Sequence, residues 1–248
     1  MYSRSTSLLL GLALLTAGAL PESGLYSAAH AAPTQTATTK RADFRGTNVA
    51  IDVQHIADWA VHSRDHKNLP FIIVDKVNAQ ALAFDARGAL VQVTPVLIGI
   101  GVGDTFAPGV VNMNMYETQP WQRITPAGRF FAEEDRNLKG QRVLWVDYDA
   151  SIAIHKLPAK RTPQRRHERI LSSDPAQHRI TYGCINVPPA FYDQVVHPLF
   201  KRKGGMVYVL PESTPLKSVF KSYDVGDGLV SNAQQAVRDP VPADTRRF

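Results

Sequence analysis

The sequence predicts a mainly β domain of sandwich or barrel type with a few flanking helices, and three observations predict it. Between residues 70 and 210, short runs of β-branched and aromatic residues recur, beginning with Phe71-Ile72-Ile73-Val74-Asp75 and Ala81-Leu82-Ala83-Phe84-Asp85. Brief turn signals such as Arg87-Gly88 separate them, which favours antiparallel neighbours. The chain has 248 residues, 44% hydrophobic and 20% charged, enough for a core that needs no disulfide or metal staple.

The chain reads in five parts. Residues 1–31 carry Arg4 ahead of an apolar run from Leu8 to Leu20, then Pro21 and Gly24, then Ala29-His30-Ala31, the pattern of an export signal with its small-x-small cleavage site. No apolar run reaches the roughly 18 residues of a membrane span. Residues 32–46, rich in Ala, Thr, Gln and Pro, read as a linker. In residues 47–69, Val49, Val53, Ile56 and Ala60 fall at helical spacing behind a Thr47 N-cap, and Asn68-Leu69-Pro70 ends the helix. Residues 70–210 form the β domain, and residues 211–248 a tail with at most one short helix near Val230 to Val237.

Within the β domain, Leu90 to Ile98 is a third strand-like run, with Pro95 marking an edge or bulge. A long loop from Gly99 to Trp121 follows, and loops of that length are functional or disordered. Strand character returns at Gly128 to Phe131, Arg142 to Val146 and Ser151 to His155. A polar, Arg-rich excursion from Lys156 to Arg179 reads either as a solvated helix face or as a lid that meets an anionic ligand. Pro189 suits the first turn of a helix running to about Phe200, and Met206 to Leu210 is the last strand.

Net charge is +6, from 28 Lys and Arg against 22 Asp and Glu, which favours anionic partners. Export argues against nucleic acid as the partner and in favour of anionic cell-wall polymer.

Tyr182-Gly183-Cys184-Ile185-Asn186 holds the only cysteine. A lone cysteine is most often an inert small hydrophobe. In an exported chain, however, an unpaired thiol is a liability unless it is used. Gly183 permits a tight turn that pushes the next side chain out of a sheet edge, and a strand ending in His155 lies upstream. Thiolate chemistry needs both groups, because an imidazole lowers a thiol's pKa and then returns the proton to a leaving amine. His167 competes as the base, being closer in sequence but set in a polar stretch, whereas a base needs a rigid element. His178 reads as a solvated loop residue and His197 as a surface or packing group. No histidine pair has the setting of a zinc site.

Thr181-Tyr182-Gly183-Cys184-Ile185-Asn186 resembles the S/T-x-G-C-hydrophobic-R/N signature of the L,D-transpeptidase (YkuD-like) catalytic domain. Ile154-His155 resembles that family's strand-end histidine, Thr125-Pro126-Ala127-Gly128-Arg129-Phe130 its T-P-x-G-x-F segment, and Phe71 to Lys76 with Leu82 and Phe84 its opening hairpin. The four pieces stand in the family's order and span residues 70–210. Tyr182 replaces the histidine common before Gly-Cys, and Lys156 replaces the glycine common after the base. The resemblance implies a cysteine acyltransferase of peptidoglycan stem peptides with no cofactor. Cys184 is then the nucleophile and His155 the base. The Cys184 N–H, with that of Gly183, forms the oxyanion hole. Asn186 orders the turn or touches substrate, Tyr182 lies against substrate or covers the turn, and Arg179 binds a substrate carboxylate or is a solvated charge. A hydrolase of the same fold and a non-catalytic wall-binding module are the alternatives.

Overall fold

The computed structural model describes residues 39–106, 109–110, 113–159 and 163–226. The expected export signal and the helix expected near Val230 lie outside the described residues. The mainly β expectation holds. Among the described residues, ten strands form an eight-stranded sheet and a two-stranded one. In chain order they are β1 (Phe71–Asp75), β2 (Gln80–Phe84), β3 (Leu90–Pro95), β4 (Ile98–Gly99), β5 (Gly128–Arg136), β6 (Arg142–Asp147), β7 (Ile152–Lys156), β8 (Arg179–Thr181), β9 (Ile185–Val187) and β10 (Gly205–Val209). The large sheet runs β3-β2-β1-β10-β5-β6-β7-β9. Pro95 closes β3 on the sheet's edge, where a missing N–H costs no ladder bond.

Strand β5 joins the two halves of the sheet. Gly128 to Ala132 pair with β10, and Glu133 to Arg136 pair with β6. Alternate residues of the first half, Ile72, Val74, Ala81, Ala83, Val207 and Val209, share one core with Leu144, Val146, Ile152, Ile154, Ile185 and Val187 of the second. The sheet therefore folds back on itself. The opposite residues of the first half, Phe71, Ile73, Leu82, Phe84, Met206 and Tyr208, pack against helix α1 (Ile51–His62) through Val53, Ile56, Ala57 and Ala60. Being covered on both faces is why β1 and β10 are buried at every residue and read as unbroken apolar runs.

The structure departs from the sequence expectation in four places. Helix α1 is capped by Ala50, not Thr47. Residues 41–46 are not a free linker: Ala42 N–H donates to Asp58 Oδ1 (3.0 Å), Asp43 N–H to Gly88 O (2.9 Å), and the Phe44 ring meets Phe84 edge-on at 5.8 Å. Not every pairing is antiparallel. β1–β10, β7–β9 and β4–β8 are parallel, which needs the long excursions between those strands. The start of the tail folds onto the domain through a short helix (Leu216–Phe220) whose Phe220 is buried. The helix after the cysteine spans the expected range but widens to a π turn at Tyr192–Val196. That turn sits just before Pro198, which has no N–H to give to Gln194.

Candidate active site

Three strands and a turn build the site. β8 ends at Thr181, the chain turns through Tyr182 and Gly183, and β9 begins after Cys184. Gly183 has φ +127°, and a Cβ there would lie 2.7 Å from Ile124 O and 2.8 Å from Ile152 Cδ1. Only glycine fits. Two threonines pin the turn. Thr125 Oγ1 donates to Gly183 O (2.8 Å) and accepts from Gly99 N–H (2.9 Å). Thr181 Oγ1 donates to Cys184 O (2.6 Å) and accepts from Gly183 N–H (3.1 Å). Of the two amides expected in an oxyanion hole, the Gly183 N–H is thus engaged within the turn. Replacing Gly183 with alanine is expected to cost more than about 2 kcal/mol, through the clash and the disfavoured φ. Denaturant midpoints check this, and an unchanged midpoint would contradict it.

Parallel pairing of β7 with β9 sets His155 opposite Asn186. Cys184 lies two residues before Asn186, so the period of two puts its side chain on the His155 face. The two groups share a sheet face but are not bonded to each other. The Cys184 thiol donates to Ser151 O (3.4 Å), and His155 Nε2 accepts from Asn186 Nδ2 (3.0 Å). His155 Nδ1 donates to Lys156 O (3.0 Å). The ring is therefore the Nδ1–H tautomer with its lone pair at Nε2.

Burial pushes the Cys184 thiol above the ordinary 9.0, against the opposing pull of the Ala153 N–H and the Arg166 charge. Burial also pushes His155 below the ordinary 6.5, with the Lys156 carbonyl opposing and Arg166 adding to the fall. Both shifts favour the uncharged forms, a thiol and a neutral imidazole, in the resting protein. A raised thiol pKa means less thiolate at any given pH. Alkylation of resting Cys184 by iodoacetamide is accordingly expected to keep rising through pH 9; a plateau near pH 7 would contradict this.

No family model matches the chain, and no curated protein matches it. Solved structures do. The chain is similar to an L,D-transpeptidase from Xylanimonas cellulosilytica, with 15% identity over 57% of this chain and 60% of that one, at TM-score 0.37. It is similar to the catalytic domain of the E. faecium L,D-transpeptidase, with 18% identity over 56% and 95%, at TM-score 0.35. A third similar structure is an LD transpeptidase in complex with imipenem, with 15% identity over 57% and 58%, at TM-score 0.32. The chain spans less than two thirds of the length of the first and third of these.

The other expected site residues divide. Asn186 is fully buried and bridges the site, giving Nδ2 to His155 and accepting Arg166 Nη1 at Oδ1 (2.6 Å). Tyr182 is partly exposed beside the cysteine. The Arg123 guanidinium lies 4.1 Å from its ring centre and the Tyr116 ring 6.1 Å away, edge-on. Arg179 is neither solvated nor open to a carboxylate ligand. Its guanidinium pairs with Glu212 and donates to the carbonyls of Gly99 (3.3 Å) and Gly101 (3.1 Å).

The rival histidines also have partners. His167 Nε2 donates to Pro158 O (2.8 Å), and His197 Nδ1 pairs with Glu134 (2.8 Å). His178 is buried rather than solvated, held between Val96 O (2.8 Å) and Ser172 O (3.0 Å). No group of three or more metal-ligating side chains occurs among the described residues.

Sequence reasoning missed Arg166. It lies on the short helix α2 (Arg166–Arg169) in the polar excursion, with Nε on Gln164 (2.7 Å) and Nη1 on Asn186. Its charge acts on the Cys184 thiol. The Arg-rich composition of the segment was the available signal, but composition does not say which arginine turns inward.

Proposed function

We propose that the protein is an exported cysteine L,D-transpeptidase that acts on peptidoglycan stem peptides through an acyl-thioester. The observation that carries this reading is the partly exposed Cys184 on a glycine-forced turn just before β9, with His155 on the adjacent strand β7 and its Nε2 an unprotonated acceptor. The sequence signature around the cysteine supports the same chemistry.

In this mechanism the thiol turns from Ser151 O and the Asn186 amide moves off Nε2. His155 Nε2 takes the thiol proton. The sulfur attacks the carbonyl carbon of the third, diamino-acid residue of a tetrapeptide stem, and the C–O π pair moves onto oxygen beside the Cys184 N–H. The tetrahedral centre collapses, the C–N bond to the terminal D-alanine breaks, and His155 gives its proton to that amine. An amine of a second stem or of a protein then attacks the thioester, His155 Nε2 takes its proton and passes it to the departing sulfur, and the new amide forms. The Tyr182 and Tyr116 rings offer apolar walls to the chain of the stem. The basic balance of the protein suits an anionic wall.

The test is incubation of the whole protein with a tetrapeptide stem and an acceptor amine, with products read by mass spectrometry. A cross-linked product supports the reading. Free tripeptide alone identifies a hydrolase, and unchanged substrate with unmodified Cys184 identifies a wall-binding module; either would overturn it.

A further inference from the structure

Asn186 has one amide and two neighbours that need opposite ends of it. Arg166 Nη1 can only donate, so it fixes Oδ1 toward itself at 2.6 Å. Nδ2 is then the end that meets His155, and it donates to Nε2 at 3.0 Å. On the far side of the ring, the Lys156 carbonyl takes Nδ1–H. Were the amide turned over, Oδ1 would face Nε2, and the ring would sit between two carbonyl-type acceptors. That setting stabilises the doubly protonated imidazolium, which cannot act as a base. Because Asn186 is fully buried between the two side chains, the choice of orientation rests with them.

We propose that Arg166 is a positioning residue that keeps His155 a neutral acceptor at Nε2, by fixing the orientation of the Asn186 amide and by setting a positive charge beside the ring. The proposal rests on the reading of His155 as the base for Cys184. The groups that act on the ring are the Asn186 amide from β9, the Arg166 guanidinium from α2 and the Lys156 carbonyl from its own strand, while the Cys184 thiol bonds Ser151 O. The Lys156 ammonium is turned away to Asp193 (2.7 Å). The downward displacement of His155 agrees with this arrangement, burial being its main cause and Arg166 a further one.

The experiment is an NMR titration of the His155 ring in the whole chain, in wild type, Arg166→Gln and Arg166→Lys, with melting temperatures alongside. The expected result is a wild-type midpoint below 6.5. In Arg166→Gln the midpoint rises by about one unit, a tenfold change in proton affinity. Lysine, which keeps a charge and a donor, returns it to within about 0.3 units of wild type. A midpoint unmoved in Arg166→Gln, or a wild-type midpoint above 6.5, would overturn the proposal. Should Arg166→Gln fail to fold, Arg166→Met, which removes the charge and every donor, takes its place with the same expected rise. The titration needs no substrate. Absence of stem-peptide turnover in wild type therefore sinks the transpeptidase reading while the titration still decides the role of Arg166. An unmoved ring in an enzyme that does turn over sinks the positioning role alone.

Discussion

Replacing His155 with alanine is expected to slow acylation of Cys184 by about 10²–10⁴-fold, the contribution of a positioned acid–base group. The fold should survive. The β7–β9 register is held by backbone pairing, and what the variant loses is the ring's bonds to Lys156 O and Asn186, about 1–2 kcal/mol with the buried amide left unpartnered. The resting geometry explains why the loss is large even though no bond joins sulfur and imidazole. The thiol's pKa is raised, so little thiolate forms unaided, and attack depends on a neutral base within reach. Single-turnover acylation by a carbapenem, with melting temperatures in parallel, checks the prediction. A His167→Ala variant serves as the comparison. If it lost acylation and His155→Ala did not, the base would be His167, despite the bond of its Nε2 to Pro158 O.

The second large effect lies beneath the site. Lys76 is wholly buried, and its ammonium donates to Gly103 O (2.6 Å), Asp104 Oδ1 (2.8 Å) and Thr125 O (3.1 Å), with Glu212 Oε1 at 3.4 Å. Asp104 in turn accepts the backbone N–H groups of Glu212, Ser213 and Thr214. Lys76→Met leaves the buried Asp104 carboxylate without its cation and Glu212 with Arg179 alone. The expected cost is about 3–5 kcal/mol, a fall in melting temperature of roughly 10 °C or more.

The pH dependence follows the same cluster. Burial pulls the Asp104 carboxyl up, but Lys76, the Glu212 and Ser213 N–H groups and the Thr214 side chain outweigh it and hold it well below the ordinary 3.8. A carboxylate depressed in the folded state adds stability above its unfolded value, and that stability is lost as pH falls below it. The wild type should therefore resist acid to a lower pH than Lys76→Met, and acid-unfolding midpoints by circular dichroism check this. Coincident midpoints would contradict it. The cluster also reaches the chemistry. Thr125, whose carbonyl holds Lys76, is the residue whose hydroxyl holds Gly183 O.

Most of the strand framework is legible in the sequence, because strands covered on both faces must be apolar at every position and turns need glycine or polar residues. Phe71 to Asp75 and Met206 to Val209 are recognisable for that reason. The turn at the cysteine is legible too, since Gly183 has a conformation and a crowded surrounding that no other residue fits. What hides is direction. Arg166 and Arg179 look alike in a polar stretch, yet one turns toward Asn186 and the thiol and the other closes an ion pair with Glu212 at the base of the long loop. Parallel pairing hides as well. It joins strands separated by long excursions, and nothing local in Ser151 to His155 announces that its neighbour is the strand after Cys184. The state of the sulfur hides most deeply, because the partners of the imidazole, Asn186 and the Lys156 carbonyl, are set by register and not by spacing.

Intact-mass measurement of the whole protein after incubation with a carbapenem tests the assignment of Cys184 most directly. The expected result is one covalent adduct on wild type, mapped to Cys184 by peptide digestion, and none on Cys184→Ala. A wild-type protein that stays unmodified, or an adduct that persists on Cys184→Ala, would contradict it.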